Sequence, residues 1–473
     1  MSTFFGAASS TTRAALDLVP NLYVDVQDYG FVIGSGSPQD AALQDALNAA
    51  STGGGGRVLL PKGITVVTSE IQVPQNVVLE GQGRGTSLQI NNASTLTGAV
   101  LVLMGNSSGV RKLHIDGNKA AAVSGSCSAI RWNGGGYVDN ILDELLIENM
   151  TGIGLPFGIT DKMIARFIKV RACAGIGFYF NAVTNFEGIG LVAEGCSGIG
   201  FDIGDGCTNL QLVSPISRLN ASSGMRISGR TTKDVEIISP KLYQNTADGL
   251  IFNGVDEIEI VGGTVEENGS DGMSFIGSRW NNIVGTKLKN NSQTTNGAAS
   301  EIQLADDGTT PSQFNSFVGV KTRITAANKA SLSFFENGAT SGPNYVSGGS
   351  MDAGVSGTFL LTANGTRFVG VGKVRDTEDP QTNVSANYTV LSTDYFVRMT
   401  TGAGDKIVTL PDPAIGATPA RFSVIIFKAD SGAGAVKIIV TNGKLINGLT
   451  ESDLTTQFQS LLLVSNGTGY DAM

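Results

Sequence analysis

The sequence predicts an all-β protein: a right-handed, three-stranded parallel β-helix with an N-terminal capping helix, followed by a small C-terminal antiparallel β-sandwich. The first observation behind this is a small-apolar-x-apolar unit that recurs through the middle third of the chain. It reads Ala129-Ile-Arg-Trp132, Gly152-Ile-Gly-Leu155, Gly175-Ile-Gly-Phe178, Gly198-Ile-Gly-Phe201, Gly224-Met-Arg-Ile227, Gly249-Leu-Ile-Phe252 and Gly272-Met-Ser-Phe275. Successive first residues lie 23, 23, 23, 26, 25 and 23 positions apart by subtraction. A period in the low twenties suits a leucine-rich repeat or one coil of a parallel β-helix. The second observation decides between them: no fixed leucine scaffold is present, and each repeat holds three short alternating runs, such as Val235-Glu-Ile237, Lys241-Leu-Tyr243 and Gly249-Leu-Ile-Phe252, separated by polar turn residues. The third is composition, with 63 Gly against 13 Pro and only 15 % charged residues in 473, a strand-rich and turn-rich profile.

Ser37-Pro38-Gln39-Asp40 reads as a helix start, with Ser37 as cap and Pro38 at the first helical position. The helix is expected to run to about Ser51. Its stripe of Ala42, Leu43, Ala46, Leu47 and Ala50 would cover the open end of the first coil, which otherwise exposes unpaired strand edges.

Within the coils, apolar alternates should point inward and stack on their equivalents about 4.8 Å away. Phe178, Phe201, Phe252 and Phe275 are expected in one column, and Asn220, Asn245 and Asn268, each four residues before a repeat glycine, in another. Trp132 should face the core. Cys173 and Cys196 occupy equivalent positions, and with Cys127 and Cys207 they are too few for a disulfide framework in a chain this long, so buried thiols are expected.

The organisation that follows is an N-terminal peptide over 1–24, the β-helix over 25–371, a connector over 372–385 and the sandwich over 386–473. The last is read from separate alternating runs such as Lys406-Ile-Val-Thr-Leu410 and Val436-Lys-Ile-Ile-Val440. A formal net charge of −9 argues against a nucleic-acid partner, which needs a concentrated basic surface. No window approaches the roughly 20 apolar residues that cross a bilayer, so membrane insertion is not expected. Neither a metal nor another cofactor is expected: there is no Cys-His cluster or calcium-loop spacing, and Gly53-Gly-Gly-Gly56 precedes a strand rather than a helix.

Asp25-Val-Gln-Asp-Tyr-Gly30, Asp40-Ala-Ala-Leu-Gln-Asp-Ala-Leu-Asn48 and Gly55-Gly-Arg-Val-Leu-Leu-Pro-Lys-Gly63 together resemble the N-terminal signature of the pectate-lyase-like superfamily. Leu113-His-Ile-Asp-Gly-Asn118 is similar to a coil motif frequent there. The stretch from Lys406 to Ser465-Asn-Gly-Thr-Gly-Tyr470 resembles C-terminal domains of phage tail fibres and spikes. The resemblance implies a homotrimeric tail-spike depolymerase in a virion tail, outside the cell. It would bind and cleave a bacterial surface polysaccharide by hydrolysis and sit beside other phage tail proteins. Polysaccharide lyases acting on alginate or pectate, and non-catalytic receptor-binding fibres, share the fold, which does not fix the reaction.

Hydrolysis of a glycosidic bond needs two carboxyl groups, about 5 Å apart for retention or about 6.5–9.5 Å for inversion. Gly200-Phe-Asp-Ile-Gly-Asp205 should leave Asp202 outward and Asp205 on the following turn, with Tyr179, Arg226, Ser228 and Asn253 in neighbouring outward rows. These make one candidate patch of acids, a base and a stacking ring; turn-capping aspartates are the plain alternative. Glu236 and Glu259 form a second, at equivalent outward positions of consecutive coils, where close like charges raise one carboxyl's affinity for its proton. Solvated surface glutamates are the plain alternative there. Trp280, in a turn, is placed to stack on a sugar, and the single histidine, His114, is the base an eliminating enzyme would use.

Overall fold

The computed structural model describes residues 23–92, 96–120, 126–294, 297–325, 330–337, 342–352, 357–361, 366–369, 371, 382–390, 396–412, 423–457, 459–465 and 468–472. The chain divides into two compact units, Met1–Val374 and Arg375–Met473. Most of the expected N-terminal peptide and connector lies outside the described residues. Tyr23–Asp25 is already a strand, paired in parallel with Gly56–Leu59.

The first unit is a parallel β-helix. One coil consists of Lys233–Ile238, Lys241–Tyr243 and Leu250–Asn253, and each of these pairs in parallel with its equivalent one coil later: Glu236 with Glu259, Leu242 with Val265, Phe252 with Phe275. Among the described residues the first sheet has 15 strands, the second 11 and the third 9. Alternation sends every second side chain into a core in which Val235, Ile237, Leu242, Leu250 and Phe252 are at most 1 % exposed.

The turn from the second sheet into the third shows why the repeat begins with glycine. Asn220 Nδ2 donates to Asn245 Oδ1 at 2.9 Å, Asn245 to Asn268 at 3.0 Å and Asn268 to Asn291 at 2.9 Å. Each Oδ1 also accepts the backbone N–H of the asparagine one coil earlier. The amides need room against the next strand. A Cβ on Gly249 would lie 2.8 Å from Asn268 Nδ2 and 2.2 Å from Val265 Cγ1, and one on Gly224 would lie 2.7 Å from Asn245 Nδ2. The expected asparagine column is therefore present, and it extends one coil further than expected, to Asn291. Cys173 and Cys196 precede it in the same column: Cys196 N–H donates to Asn220 Oδ1 at 3.0 Å, and all four cysteines are buried free thiols.

The phenylalanines fall into two columns rather than the expected one. Phe178 stacks on Phe201 with centroids 4.8 Å apart and Phe252 on Phe275 at 4.2 Å, but Phe201 pairs with Met225 and Phe252 with Ile227. The register follows the second glycine of the earlier units, Gly177 and Gly200, into Gly224 and Gly249. The slip is two residues, which preserves inward and outward faces.

The capping helix, α1, spans Asp40–Thr52 and buries Leu43, Ala46, Leu47 and Ala50, with Ala42 packed against the same core. Its start corrects the expected cap. Gln39 holds the N-cap position with no side-chain bond to the helix N–H groups, and Pro38 pairs with Val66 outside the helix. Asp40 reaches across to the next coil instead, accepting from the Thr68 and Ser69 N–H groups at 2.8 and 2.9 Å.

In the second unit, two sheets enclose a core of Val397, Met399, Val408, Leu410, Val424, Ile426 and Ile438. Antiparallel pairing, expected throughout, is confined to the last strands: Ser423–Lys428 with Ser460–Ser465, Val436–Val440 with Ser452–Leu454, and Ser460–Ser465 with Tyr470–Ala472. The preceding strands alternate between the sheets and pair in parallel, as Lys406–Leu410 does with Val436–Val440. Alternating runs identify strands but carry no signal for their direction.

Asn245→Ala removes the acceptor of Asn220 Nδ2 and the donor to Asn268, both buried. A loss of about 1–3 kcal/mol for each group left unsatisfied is expected, read from urea unfolding. The column ends on Glu301, whose carboxylate accepts from the Asn291 N–H at 3.2 Å and from Asn291 Nδ2. Burial pushes the Glu301 carboxyl up to about 7. A raised folded-state value stabilises fully below the unfolded value of about 4.3 and is lost as pH rises through about 7. Thermal midpoints should therefore fall as pH rises from about 4.3 to about 7, and fall less in Glu301→Gln.

Candidate functional site

Tyr179, Asp202 and Arg226 are Cα partners on three consecutive strands of the third sheet, Phe178–Phe180, Phe201–Ile203 and Met225–Ser228. Their neighbours Phe178, Phe201 and Met225 face the core, so alternation turns all three outward. Arg226 forks onto the carboxylate, Nε to Oδ1 at 2.8 Å and Nη2 to Oδ2 at 2.6 Å. Asp202 is only 1 % exposed, and its carboxylate raises the guanidinium above the ordinary arginine range. The Tyr179 ring lies over Gly204, where a Cβ would be 3.7 Å from its Cε2. Asn253 is exposed one row further along, paired with Ser228.

Asp205 takes a different role. It accepts from the Thr231 hydroxyl and N–H, which hold its fully exposed carboxyl below the usual range. That is a turn cap, and it keeps Asp205 ionised.

Glu236 and Glu259 are Cα partners as expected, but on the first sheet, a different face from Asp202. Gln211 donates to Glu236 at 2.7 Å and Asn282 to Glu259 at 3.2 Å, so the two acids lie between two amides on one outward row. The structure does not bring the two candidate acid groups together.

Trp280 sits where the chain passes from the third sheet to the first. Its ring is 48 % exposed and stacks on Phe314 with centroids 5.7 Å apart and planes 8° from parallel. The Arg279 guanidinium lies 4.6 Å from its centroid and is held by Asp256 at 2.8 Å. His114 lies on the second sheet with Nε2 2.9 Å from Glu148 Oε1. It is part of a charged ladder that continues through Arg171, Glu194 and Arg218.

The sequence reading missed a third acid pair. Asp248 and Asp271 precede repeat glycines of consecutive coils, at the lead-in to the third-sheet strands that continue the Asp202–Arg226 row. The Asp271 N–H donates to Asp248 Oδ1 at 2.9 Å, and Asp271 Oδ1 accepts from the Ser300 N–H. Burial pushes both carboxyls up, Asp271 to about 7, with the neighbouring Asp248 charge adding to the effect. The signal was the repeated Asp-Gly at one repeat position. It reads as turn chemistry because Asp-Gly is a common turn dipeptide.

Residues 23–154 match the family model described as rhamnogalacturonase A/epimerase, pectate lyase-like. No curated protein matches by sequence. Among solved structures, the A-module of mannuronan C-5 epimerase AlgE6 from Azotobacter vinelandii superposes with a TM-score of 0.63 and 20 % identity over 75 % of this chain and 100 % of that one. ORF18 of Geobacillus virus E2 gives 0.50 and 14 % over 98 % of this chain and 78 % of its own. Full-length tailspike protein 2 from an Escherichia coli O157:H7 bacteriophage gives 0.50 and 14 % over 72 % of this chain and 46 % of its own. The match to a pectate-lyase-like model is confined to the N-terminal part, and the fold is the parallel β-helix these epimerase and phage structures share.

Removing Arg226 strands a buried carboxylate, whereas Asp202→Asn leaves a neutral amide beside a partly exposed guanidinium. Arg226→Ala should therefore cost more stability than Asp202→Asn, by about 1–3 kcal/mol after allowance for the solvent reaching the arginine. Denaturant midpoints of the two variants check the order.

Proposed function

We propose that the protein is a tail-spike-like depolymerase that binds a bacterial surface polysaccharide along the third sheet and cleaves it by glycoside hydrolysis. The observation that carries this reading is the Asp248–Asp271 pair, in which one carboxyl is raised to about 7 beside another on the adjacent coil. Strand spacing separates equivalent positions by about 4.8 Å, which suits the shorter carboxyl distance of a retaining mechanism.

In that mechanism the Asp271 carboxyl, protonated near neutrality, gives its proton to the glycosidic oxygen as the bond to the anomeric carbon breaks. Ionised Asp248 attacks that carbon and forms a glycosyl ester. Water then displaces Asp248 while the Asp271 carboxylate takes up the water's proton, restoring both groups. Tyr179, Asp202 and Arg226 lie on the third sheet one to three coils before Asp248, where a ring and a fixed guanidinium would hold further sugars of the polymer. Asn253, and Trp280 with its Phe314 platform, offer further polymer contacts. Glu236 and Glu259, on another face, would act on a polymer laid along the first sheet instead. Placement in a virion tail and assembly as a homotrimer alongside other tail proteins are part of the proposal, supported by likeness to a phage ORF product over nearly the whole chain.

Purified capsular, O-antigen and exopolysaccharides, with alginate and pectate, should be incubated with the protein and the products weighed by mass spectrometry. Oligosaccharides one water heavier than the internal repeat are expected. Asp271→Asn should slow their release by about 10²–10⁴-fold with little change in binding, and wild-type kcat/KM should fall as pH rises through about 7. Unsaturated terminal sugars would replace hydrolysis with elimination; binding without fragments would make the protein a receptor-binding fibre.

A further inference from the structure

The first sheet carries a second outward row that neither the expected sites nor the proposed hydrolysis uses. Leu59, Glu80, Arg111, Asp143 and Arg166 are Cα partners on consecutive strands, and Ile189 follows on the next. Glu80 and Asp143 are 8 % and 6 % exposed. Lys112 Nζ holds Glu80 Oε1 at 3.0 Å, and Arg111 Nη2 holds Asp143 Oδ2 at 3.0 Å. The row is nevertheless unfinished. Glu80 Oε2, Arg111 Nε and Arg166 Nε are shut off from solvent with no hydrogen-bond partner, and Arg57 Nη1 stands 3.6 Å from that Glu80 oxygen. Among the described residues, Arg166 makes no ion pair and its side chain no hydrogen bond. Arg57, Arg111, Lys112 and Arg166 stand on or beside this row with Glu80, Asp143 and Glu144, and Glu187 lies on the next strand two residues before Ile189, the Cα partner of Arg166.

The next residue supplies an independent observation. Phe167 turns the corner out of this strand with φ +53° and 61 % exposure. Its ring lies over Gly190, where a Cβ would be 3.1 Å from Cδ1. A bulky residue in the left-handed region costs on the order of 1–2 kcal/mol, and a ring left this open recovers little of that by packing. The corresponding corners one and two coils later carry Gly190 and Ser214 at φ +62° and +53°, so the fold does not require a ring there.

We infer that Arg166 and Phe167, backed by Arg111 and Glu80, form a binding site for an acidic sugar. The sugar carboxylate takes the two-pronged guanidinium of Arg166, and the apolar face of the sugar ring lies on Phe167. Glu80 lies three strand steps from Arg166, about 14 Å at a spacing of about 4.8 Å, so a polymer running along the row reaches Glu80 with a later sugar while one carboxylate stays on Arg166. The site deepens the proposed function by naming an acidic glycan, but it lies on a different sheet from Asp248 and Asp271, so binding and cleavage are separable.

The test is calorimetric titration of an Asp271→Asn chain, whose turnover is slowed, with hexamers of galacturonate and of mannuronate, with maltohexaose and with sodium acetate. At least one acidic hexamer should bind, with maltohexaose and acetate at least about tenfold weaker. Arg166→Ala should weaken the acidic hexamer by about tenfold to a hundredfold. Phe167→Gly should weaken it too while raising the thermal midpoint, because it removes a ring and a strained backbone together, which a purely structural Phe167 would not do. Unchanged affinity in Arg166→Ala, equal affinity for maltohexaose, or acetate competing as well as the hexamers would each overturn the assignment. Loss of cleavage in the Asp271 chain with acidic binding intact would leave this inference standing whatever becomes of the hydrolytic reading.

Discussion

Parallel stacking at one strand spacing governs everything else in the β-helical unit. Each residue sits about 4.8 Å from its equivalent in the next coil, so whatever the repeat places at a position must tolerate a copy of itself above and below. Inside, leucine, isoleucine and phenylalanine do so by dispersion. A buried polar group does so only if it both donates and accepts along the axis, which an asparagine amide can and a charged side chain cannot. The Asn220-to-Asn291 column meets that condition and also satisfies the backbone N–H groups of the turn, and the glycine at the start of each third-sheet strand is the space those amides need.

The same rule explains how a column ends. Asn291 meets Glu301, and a second column through Asn281, Asn315 and Asn344 meets Glu336. The terminal amide N–H groups need an acceptor with no obligation to donate onward, and a carboxylate supplies two oxygens. Burying it raises both glutamates above the usual carboxyl range, so the columns are closed at the cost of a pH dependence in the core.

Much of this was legible in the sequence because stacking imposes a period on it. The repeat glycines, the asparagines four residues before them and the three runs per coil carried the architecture, and the two-residue error in placing Gly198 against Gly224 left Asp202 and Arg226 outward because side chains alternate with period two. What was not legible depended on partners far away in sequence. Asp40 bonds to Thr68 and Ser69 rather than Ser37 capping the helix, and strand direction in the second unit is set by which neighbour each strand meets. The standing of each outward acid likewise depends on the coil beside it.

That last dependence separates the acid pairs. Stacking makes paired acids common on a β-helix surface, since a repeated outward position tends to repeat its residue type, so adjacency alone says little about chemistry. Glu236 and Glu259 lie between Gln211 and Asn282, each acid taking an amide donor on its outer side. Asp202 is fixed by the fork of Arg226, and Asp205 by Thr231, which holds its carboxyl below the usual range. Asp248 and Asp271 are desolvated at the corner of the third sheet, with only backbone N–H groups and the Ser270 hydroxyl to offset the burial. A general acid needs a proton it can release near neutrality, and burial at this corner raises both carboxyls of the Asp248–Asp271 pair.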